Sequence, residues 1–484
     1  MNAVQRALPG RLAAPLVFLA SGAVLVLEIV GLRLVAPYVG VTLQTTSGVI
    51  GVALAAIAYG AWLGGWLADR VDPRRLVGPA LLLAGVATAL VPPVVRVAGA
   101  WLRGAAAPGV VLLAVLALFV PGALLSAVTP MVVKLQLADL RRTGTVVGRL
   151  SAVGTLGAIT ATFATGFVLV AALPSTVIVL GLAGLVGLTG LVLTAYLSGR
   201  VGAVAVLVGL GGTLAAAVVP EPCDTETAYS CARITADPAR PTGQTLWLNA
   251  AEHSYVDIAD PRHLEYGYTR VIGSLVDVAA PPGAPLDTLH LGAGGLTLPG
   301  YLAATRPASR SRVLEVDGAL LGLDAERLRV PRGLSQWVGD ARIGIGREPD
   351  GAWQLVIGDA FGHLAVPWHL TTKEMTAEVR RVLRSGGTYA LNVIDTPRGR
   401  FVRAEAATLA AVFAHTAVVT LPGPRGGRTN LVLLGSDAPL PLAALRDRLT
   451  ARATDLSIVD GPAFAAGAGV LTDDYAPVDQ MLLL

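Results

Sequence analysis

The first 220 residues are too oily to stay in water. Seven apolar stretches, at about 14–36, 47–68, 76–97, 107–130, 149–172, 175–197 and 201–219, approach or exceed the ~20 residues with which an α-helix crosses ~30 Å of hydrocarbon. The whole chain is only 14% charged, where a soluble domain carries roughly 25%, and its mean hydropathy is +0.64. The first stretch is too long for a signal peptide, has no small-residue cleavage site and is followed by six more. Glycine and alanine recur, as in Gly60-Ala61-Trp62-Leu63-Gly64-Gly65. Small residues let helix backbones approach closely. The expectation is a multi-pass α-helical bundle of about seven spans over residues 1–220, with the lipid bilayer as its partner and the cell membrane as its place.

The basic residues suggest an orientation. Arg6 and Arg11 precede the first span, and Arg70, Arg74 and Arg75 follow the second. Lys134, Arg141, Arg142 and Arg149 follow the fourth, and Arg200 follows the sixth. Arg96 and Arg103 are a contrary signal after the third. The balance puts the N-terminus inside, and seven crossings then put everything after Val219 outside the cytoplasm. Glu28 lies within the first span; it is expected to pair with Arg33 or to hydrogen-bond at a helix interface, because an intramembrane carboxylate is costly.

Cys223 and Cys231 are the only cysteines in the chain and follow the last span directly. A disulfide in an oxidising compartment is the favoured reading, two free thiols the alternative. Two thiols without a neighbouring histidine do not make a metal site, so no metal is expected. Net charge is +4, with no dense basic patch interleaved with aromatics, so nucleic acid is not an expected partner.

Beyond a linker at 221–245 the texture changes. LDTLHLGAG, SRVLEVDG, WQLVIGDAF and GGTYALNVID each read as a buried strand ending at Gly, Asp or Asn. LTLPGYLAAT, LLGLDAERL and TTKEMTAEVRRVLRSGG between them read as helices. That alternation predicts an α/β domain over 246–484: a mostly parallel, Rossmann-like sheet with helices on both faces. Ligands of such sheets bind beyond the carboxyl ends of the strands. The glycine turn Gly292–Gly295 permits close backbone approach there. Glu315, about 20 residues on, suits ribose hydroxyls; Asp340 suits an adenine amino group; Asp359 points into the same space. GAGGLT lacks the third glycine of the dinucleotide fingerprint, so the expected occupant of a nucleoside-sized hollow is the nucleoside of an S-adenosylmethionine-type donor. His363 and His369 lie on the loop after Asp359 and could assist proton transfer.

These stretches, with WLNAAEHSYVDIADPRHLEYGYTR and the closing LTDDYAPVD, resemble the spermidine synthase family of polyamine aminopropyltransferases. The whole chain resembles its membrane-fused bacterial branch. The resemblance implies Gly292 and Gly294 as the donor's glycine turn, Glu315 as the ribose acid and Asp340 as the adenine-side acid. It implies Asp359 as the residue that holds and deprotonates the attacking amine, with His253 and Tyr268 in the amine pocket. It further implies decarboxylated S-adenosylmethionine as co-substrate, no tightly bound cofactor, a small amine such as putrescine as acceptor, and a homodimer among the allowed assemblies. The chain departs from the family at Gly295, where an aspartate holds the donor's ammonium, at Asn249 and His253, and at Arg270, where the family has glutamate. The second loop aspartate is also missing after Asp359. Each departure removes negative charge or polarity from an amine site. Three other readings compete: a non-catalytic nucleoside-fold scaffold, an S-adenosylmethionine-dependent methyltransferase, and a transporter built on the spans.

Overall fold

The computed structural model describes residues 9–40, 43–102, 107–137, 140–198, 220–362, 366–421 and 427–483. The chain divides into two compact units, Met1–Cys231 and Ala232–Leu484. In the first, five helices are long and apolar enough to cross a membrane: Gly10–Val39, Gln44–Arg70, Pro108–Gln136, Thr143–Ala172 and Ser175–Leu197. A helix pair, Pro73–Ala89 and Val91–Trp101, passes the same test of length and composition when taken together and is bent by 43°, as a broken span or a re-entrant loop would be. The bend falls at Pro92 and Pro93, which withhold backbone donors and crowd the preceding turn. The expected stretch 201–219 lies outside the described residues.

Small residues close the bundle as the composition suggests. A Cβ on Gly60 or Gly64 would overlap the backbone of Ala123 or Ala127, so the Leu43–Arg70 and Val120–Gln136 helices run in backbone contact. Gly85 meets the Gly187 Cα in the same way, where an added Cβ would lie 2.6 Å away. Between helices in lipid, where no hydrophobic drive acts, contact of this kind is a main source of attraction.

Charge gathers at one end of this unit. Arg33 does not pair with Glu28. Its guanidinium donates to Ser175 Oγ at 3.3 Å, Glu226 Oε1 at 3.2 Å, the Ala228 carbonyl at 2.5 Å and the Thr227 carbonyl. Glu226 also accepts the Ser175 backbone N–H at 2.9 Å. Arg96, only 6% exposed, donates to Thr176 Oγ1 and Glu221 Oε1, both at 2.9 Å. Glu226 lies in the loop that Cys223 and Cys231 close with a disulfide, Cα atoms 5.2 Å apart, and Glu221 lies two residues before it. Pairing with 226 is available to Arg33 because it lies near the end of its helix, whereas Glu28 is more than a turn deeper.

The second unit begins with an antiparallel meander, β2 (Cys231–Asp237), β3 (Arg240–Leu248) and β4 (Ala251–Asp257), following a two-residue β1 (Thr225–Glu226). Strands β2 and β3 thus occupy much of the stretch read as a linker. Asn249 adopts φ 56° in the tight β3–β4 turn, a left-handed conformation that asparagine tolerates. An eight-stranded sheet follows: β5 (Thr288–Leu291), β6 (Ser311–Glu315), β7 (Leu334–Val338), β8 (Trp353–Gly358), β9 (Leu383–Asp395), β10 (His415–Thr420), β11 (Thr429–Ser436) and β12 (Ser457–Asp460). Its order is β12-β10-β11-β9-β8-β5-β6-β7. The β9-β8-β5-β6-β7 portion is parallel; β11, β10 and β12 add antiparallel pairings.

Successive residues of the central strands feed opposite cores. Val356 packs with Leu289, Leu291, Leu314 and the Lys373–Val382 and Arg400–Ala410 helices. Leu355 and Ile357 pack with the Gly267–Val278, Thr297–Thr305 and Leu442–Ala451 helices. Burial on both faces explains why these strands are continuous apolar runs. Replacing Gly60 with valine drives a side chain into backbone, and overpacking of this kind costs about 1–3 kcal/mol. Gly60→Val is expected to lower the detergent melting temperature by several degrees, while Gly51→Val, whose added Cβ meets nothing within 4 Å, leaves it unchanged.

Candidate active site

In the parallel portion the chain runs from β5 to β6 to β7 in one direction, then crosses to β8 and β9 on the other side of β5. The change of direction opens a crevice between the carboxyl ends of β5 and β8, the usual ligand position in such sheets. Gly292 follows β5 and Asp359 follows β8. The Asp359 N–H donates to the Leu291 carbonyl at 2.9 Å, and the Gly292 N–H to the Leu314 carbonyl at 2.9 Å. Gly292 sits at φ 97° and Gly294 at φ 49°. A Cβ on Gly292 would lie 2.5 Å from the Asp359 carbonyl oxygen, so both conformation and space demand glycine there. The turn is braced by Ser254 on β4, whose Oγ accepts the Gly295 N–H at 2.9 Å.

Glu315 ends β6 and is 8% exposed. Its carboxylate accepts the Ala293 N–H at 2.8 Å through Oε2 and the Asp317 N–H at 2.9 Å through Oε1. Burial raises its pKa, and those two N–H donors oppose the rise. It therefore fastens the glycine turn to the neighbouring strand and keeps spare lone pairs for a ligand hydroxyl. Asp340 caps the short Ala341–Ile345 helix by accepting the Arg342 N–H at 2.8 Å. Its other oxygen meets His369 Nε2 at 3.0 Å. His369 is thus engaged with Asp340; His363 lies outside the described residues.

Asp359 faces a hollow that Ser254, Tyr268, His290, Gly292 and Thr297 also line. Burial raises its carboxyl to about 6, against hydrogen bonds from Asn392 and Tyr268 that favour the anion. Asn392 Nδ2 donates to Asp359 Oδ1 at 2.8 Å. Tyr268 is buried, and its phenol is pushed well above its ordinary value, by burial first and the Asp359 charge second. His290 is fully enclosed, pairs with Thr288 Oγ1 at 2.9 Å, and is held near 3 by burial, so it is neutral at physiological pH. Tyr266 stacks on Tyr268 with ring centroids 6.2 Å apart, and its hydroxyl reaches Glu252 Oε2 at 3.4 Å.

The structure brings Gly292, Tyr268 and Asp359 together around one hollow but does not bring every expected residue there. The hollow is smaller than a nucleoside, and neither Glu315 nor Asp340 lines it. Both acids instead stand at the carboxyl ends of β6 and β7, Glu315 buried and Asp340 half-exposed. His253 lies on β4 one position before Ser254 and is not part of the lining. Arg270 donates to the Leu264 carbonyl at 2.9 Å. Ser254, His290 and Asn392 are site residues without a local sequence signal, apart from the oddity of one amide in the apolar strand YALNVI. Asp324, fully buried on the Gly318–Arg327 helix with neither oxygen bonded, is raised to about 8 by burial and by Glu315 and Asp317.

The sign of the Asp359 shift has a stability consequence. Its pKa is higher folded than unfolded, so its contribution is complete below about 4 and is lost as pH rises through about 6. Asp359→Asn, which cannot ionise, is expected to melt higher than wild type at pH 7.5 and to lose that advantage below pH about 4. A melting difference independent of pH would contradict the assigned burial.

No family model matches the chain. A curated polyamine aminopropyltransferase of Vibrio vulnificus (strain CMCP6) is 29% identical over 157 residues, 31% of this chain and 52% of that protein. The chain thus spans about half the length of the curated relative it matches. Among solved structures, a probable spermidine synthase from Corynebacterium glutamicum is 28% identical with a TM-score of 0.48, covering 52% of this chain and 97% of that one. The spermidine synthase from Thermotoga maritima is 14% identical with a TM-score of 0.36, covering 51% and 86%.

Proposed function

We propose, on the strength of the similarity to a polyamine aminopropyltransferase, that the protein is a membrane-anchored transferase of the spermidine synthase family. It moves an aminopropyl group from decarboxylated S-adenosylmethionine to an amine such as putrescine. The observation that carries this reading is the carboxyl of Asp359, raised to about 6 beside a glycine turn. In the proposed reaction the acceptor ammonium gives a proton to Asp359. The freed nitrogen lone pair attacks the methylene next to the donor's sulfonium. The C–S bond breaks, its electron pair returns to sulfur as a neutral thioether, and the proton leaves through Asp359 to solvent. Positioning supplies most of the acceleration, since the sulfonium is already electrophilic. Gly292 and Gly294 admit the donor's backbone-hugging part, Glu315 takes the ribose hydroxyls, Asp340 takes the adenine edge, and Tyr268 holds Asp359. His253 would act in the amine pocket only if a bound amine extends past Ser254.

Gly295 favours a second reading. It cannot hold the donor's aminopropyl ammonium as an aspartate would, which suits S-adenosylmethionine and methyl transfer, or a domain that binds a nucleoside without catalysis.

For the membrane half, the proposal is seven crossings with the C-terminal domain outside the cytoplasm. Arg33 and Ser175 meet residues 226–228 at the end where the Gly10–Val39 helix finishes. In this reading an odd number of crossings separates Gly10 from Glu226: five long apolar helices, the bent pair taken as one span, and the stretch 201–219. Arg33 and Arg96 at this end are consumed by ion pairs, whereas Arg70, Arg75, Arg141, Arg142 and Arg149 at the other end are exposed. That asymmetry supports an inside position for the opposite end, and the disulfide suits an oxidising exterior.

Asp359→Asn is expected to lower aminopropyl transfer by about 10²–10⁴-fold, the usual worth of a positioned base, measured with labelled donor and putrescine. Unchanged transfer would remove Asp359 from the chemistry; methyl transfer in its place would favour the second reading. With both native cysteines in the disulfide, a Glu326→Cys variant carries one reactive thiol. A membrane-impermeant maleimide is expected to label it on intact cells, and labelling only after lysis would reverse the topology.

A further inference from the structure

We propose that Asn392, oriented by Asn430, is a positioning residue that keeps the Asp359 carboxyl ionised and fixed in direction, a role that rests on the reading of Asp359 as proton acceptor. Asn392 lies on β9 within the run Tyr389-Ala390-Leu391-Asn392-Val393 and is 2% exposed. An amide buried in an apolar strand is costly unless both of its ends are bonded. Both are. Asn430 Nδ2, on β11, donates to Asn392 Oδ1 at 3.0 Å, and Asn392 Nδ2 donates to Asp359 Oδ1 at 2.8 Å.

The chain of donors has one direction. Turning the Asn392 amide by half a circle would aim its oxygen at a carboxylate and its NH₂ at the NH₂ of Asn430. Both contacts would be repulsive while Asp359 is ionised. The carboxylate selects the NH₂ end of Asn392, and the Asn430 donor holds the amide in that orientation from the other side.

A neutral donor also suits the chemistry better than a cation. The other titratable groups facing Asp359 are Tyr268, from the Gly267–Val278 helix, and His290, from β5; neither is charged at neutral pH. No lysine or arginine is among the described residues lining the hollow. An arginine in place of Asn392 would ionise Asp359 more strongly but would repel an incoming ammonium. The amide stabilises the anion through a hydrogen bond and adds no charge.

The test uses the full chain in detergent, labelled with ¹³C at the aspartate carboxyls. The Asp359 resonance is assigned by its loss in Asp359→Asn. In Asn392→Leu the titration midpoint is expected to rise by about one unit or more, the size of effect that a lost hydrogen bond to a carboxylate produces. In Asn430→Leu, at a half-buried position that perturbs packing less, the rise is smaller and in the same direction. The acidic limb of the transfer-rate profile should move to higher pH with it. A midpoint unchanged in both variants would overturn the proposal. The midpoint needs no turnover, so a shifted midpoint in a protein without transfer activity would sink the transferase reading and leave this one standing.

Discussion

The second domain depends on the close approach of two backbones, Gly292 after β5 and the Asp359 carbonyl after β8. Neighbouring parallel strands bring the two ends level, and the missing Cβ lets them meet. Everything chemical follows from that contact. It sets the acid beside the turn, aims the turn's N–H groups toward Glu315 and Ser254, and leaves a hollow that Tyr268 and Asn392 can close around one carboxyl. A side chain at 292 would force the strand ends apart and separate the glycine turn from Asp359.

Much of this was legible in the sequence, for a physical reason. The buried parts of β5, β6, β8 and β9 carry short apolar runs, and each run closes on a residue that is not apolar: Gly292, Glu315, Gly358 and Asp395. The strand β7, Leu334–Val338, is half exposed at the sheet edge and carries no such run. Strands β10 to β12 pair antiparallel and lie outside the βα alternation that guided the reading. The glycine turn and three strand-end acids were visible; their bonding was not. Glu315 and Asp340 spend oxygens on backbone N–H groups and, for Asp340, on His369. Asn392 acts through partners 33 and 38 residues away, and no local pattern announces pairing at that range.

The membrane half shows the same division. Long apolar helices and the close stacking of glycines could be read directly, because both follow from the run of apolar and small residues along the chain. The partner of Arg33 could not, since Glu226 lies 193 residues along the chain. The ion pairs at Arg33 and Arg96 explain why two arginines stand at the end of the bundle that the charge bias otherwise assigns outside. The Arg33 pair ties the disulfide loop to the helices and the Arg96 pair ties the residues just before it, so the last part of the first unit is fixed by charge as well as by the covalent bridge.

The account stands or falls on whether the turn at Gly292 receives an adenosine-type nucleoside. Calorimetric titration of the full chain in detergent with 5′-methylthioadenosine, the thioether that aminopropyl transfer would leave, measures this without requiring turnover. The account predicts saturable one-to-one binding that is lost in a folded Gly292→Val variant. No heat of binding, or binding that Gly292→Val leaves intact, would contradict it.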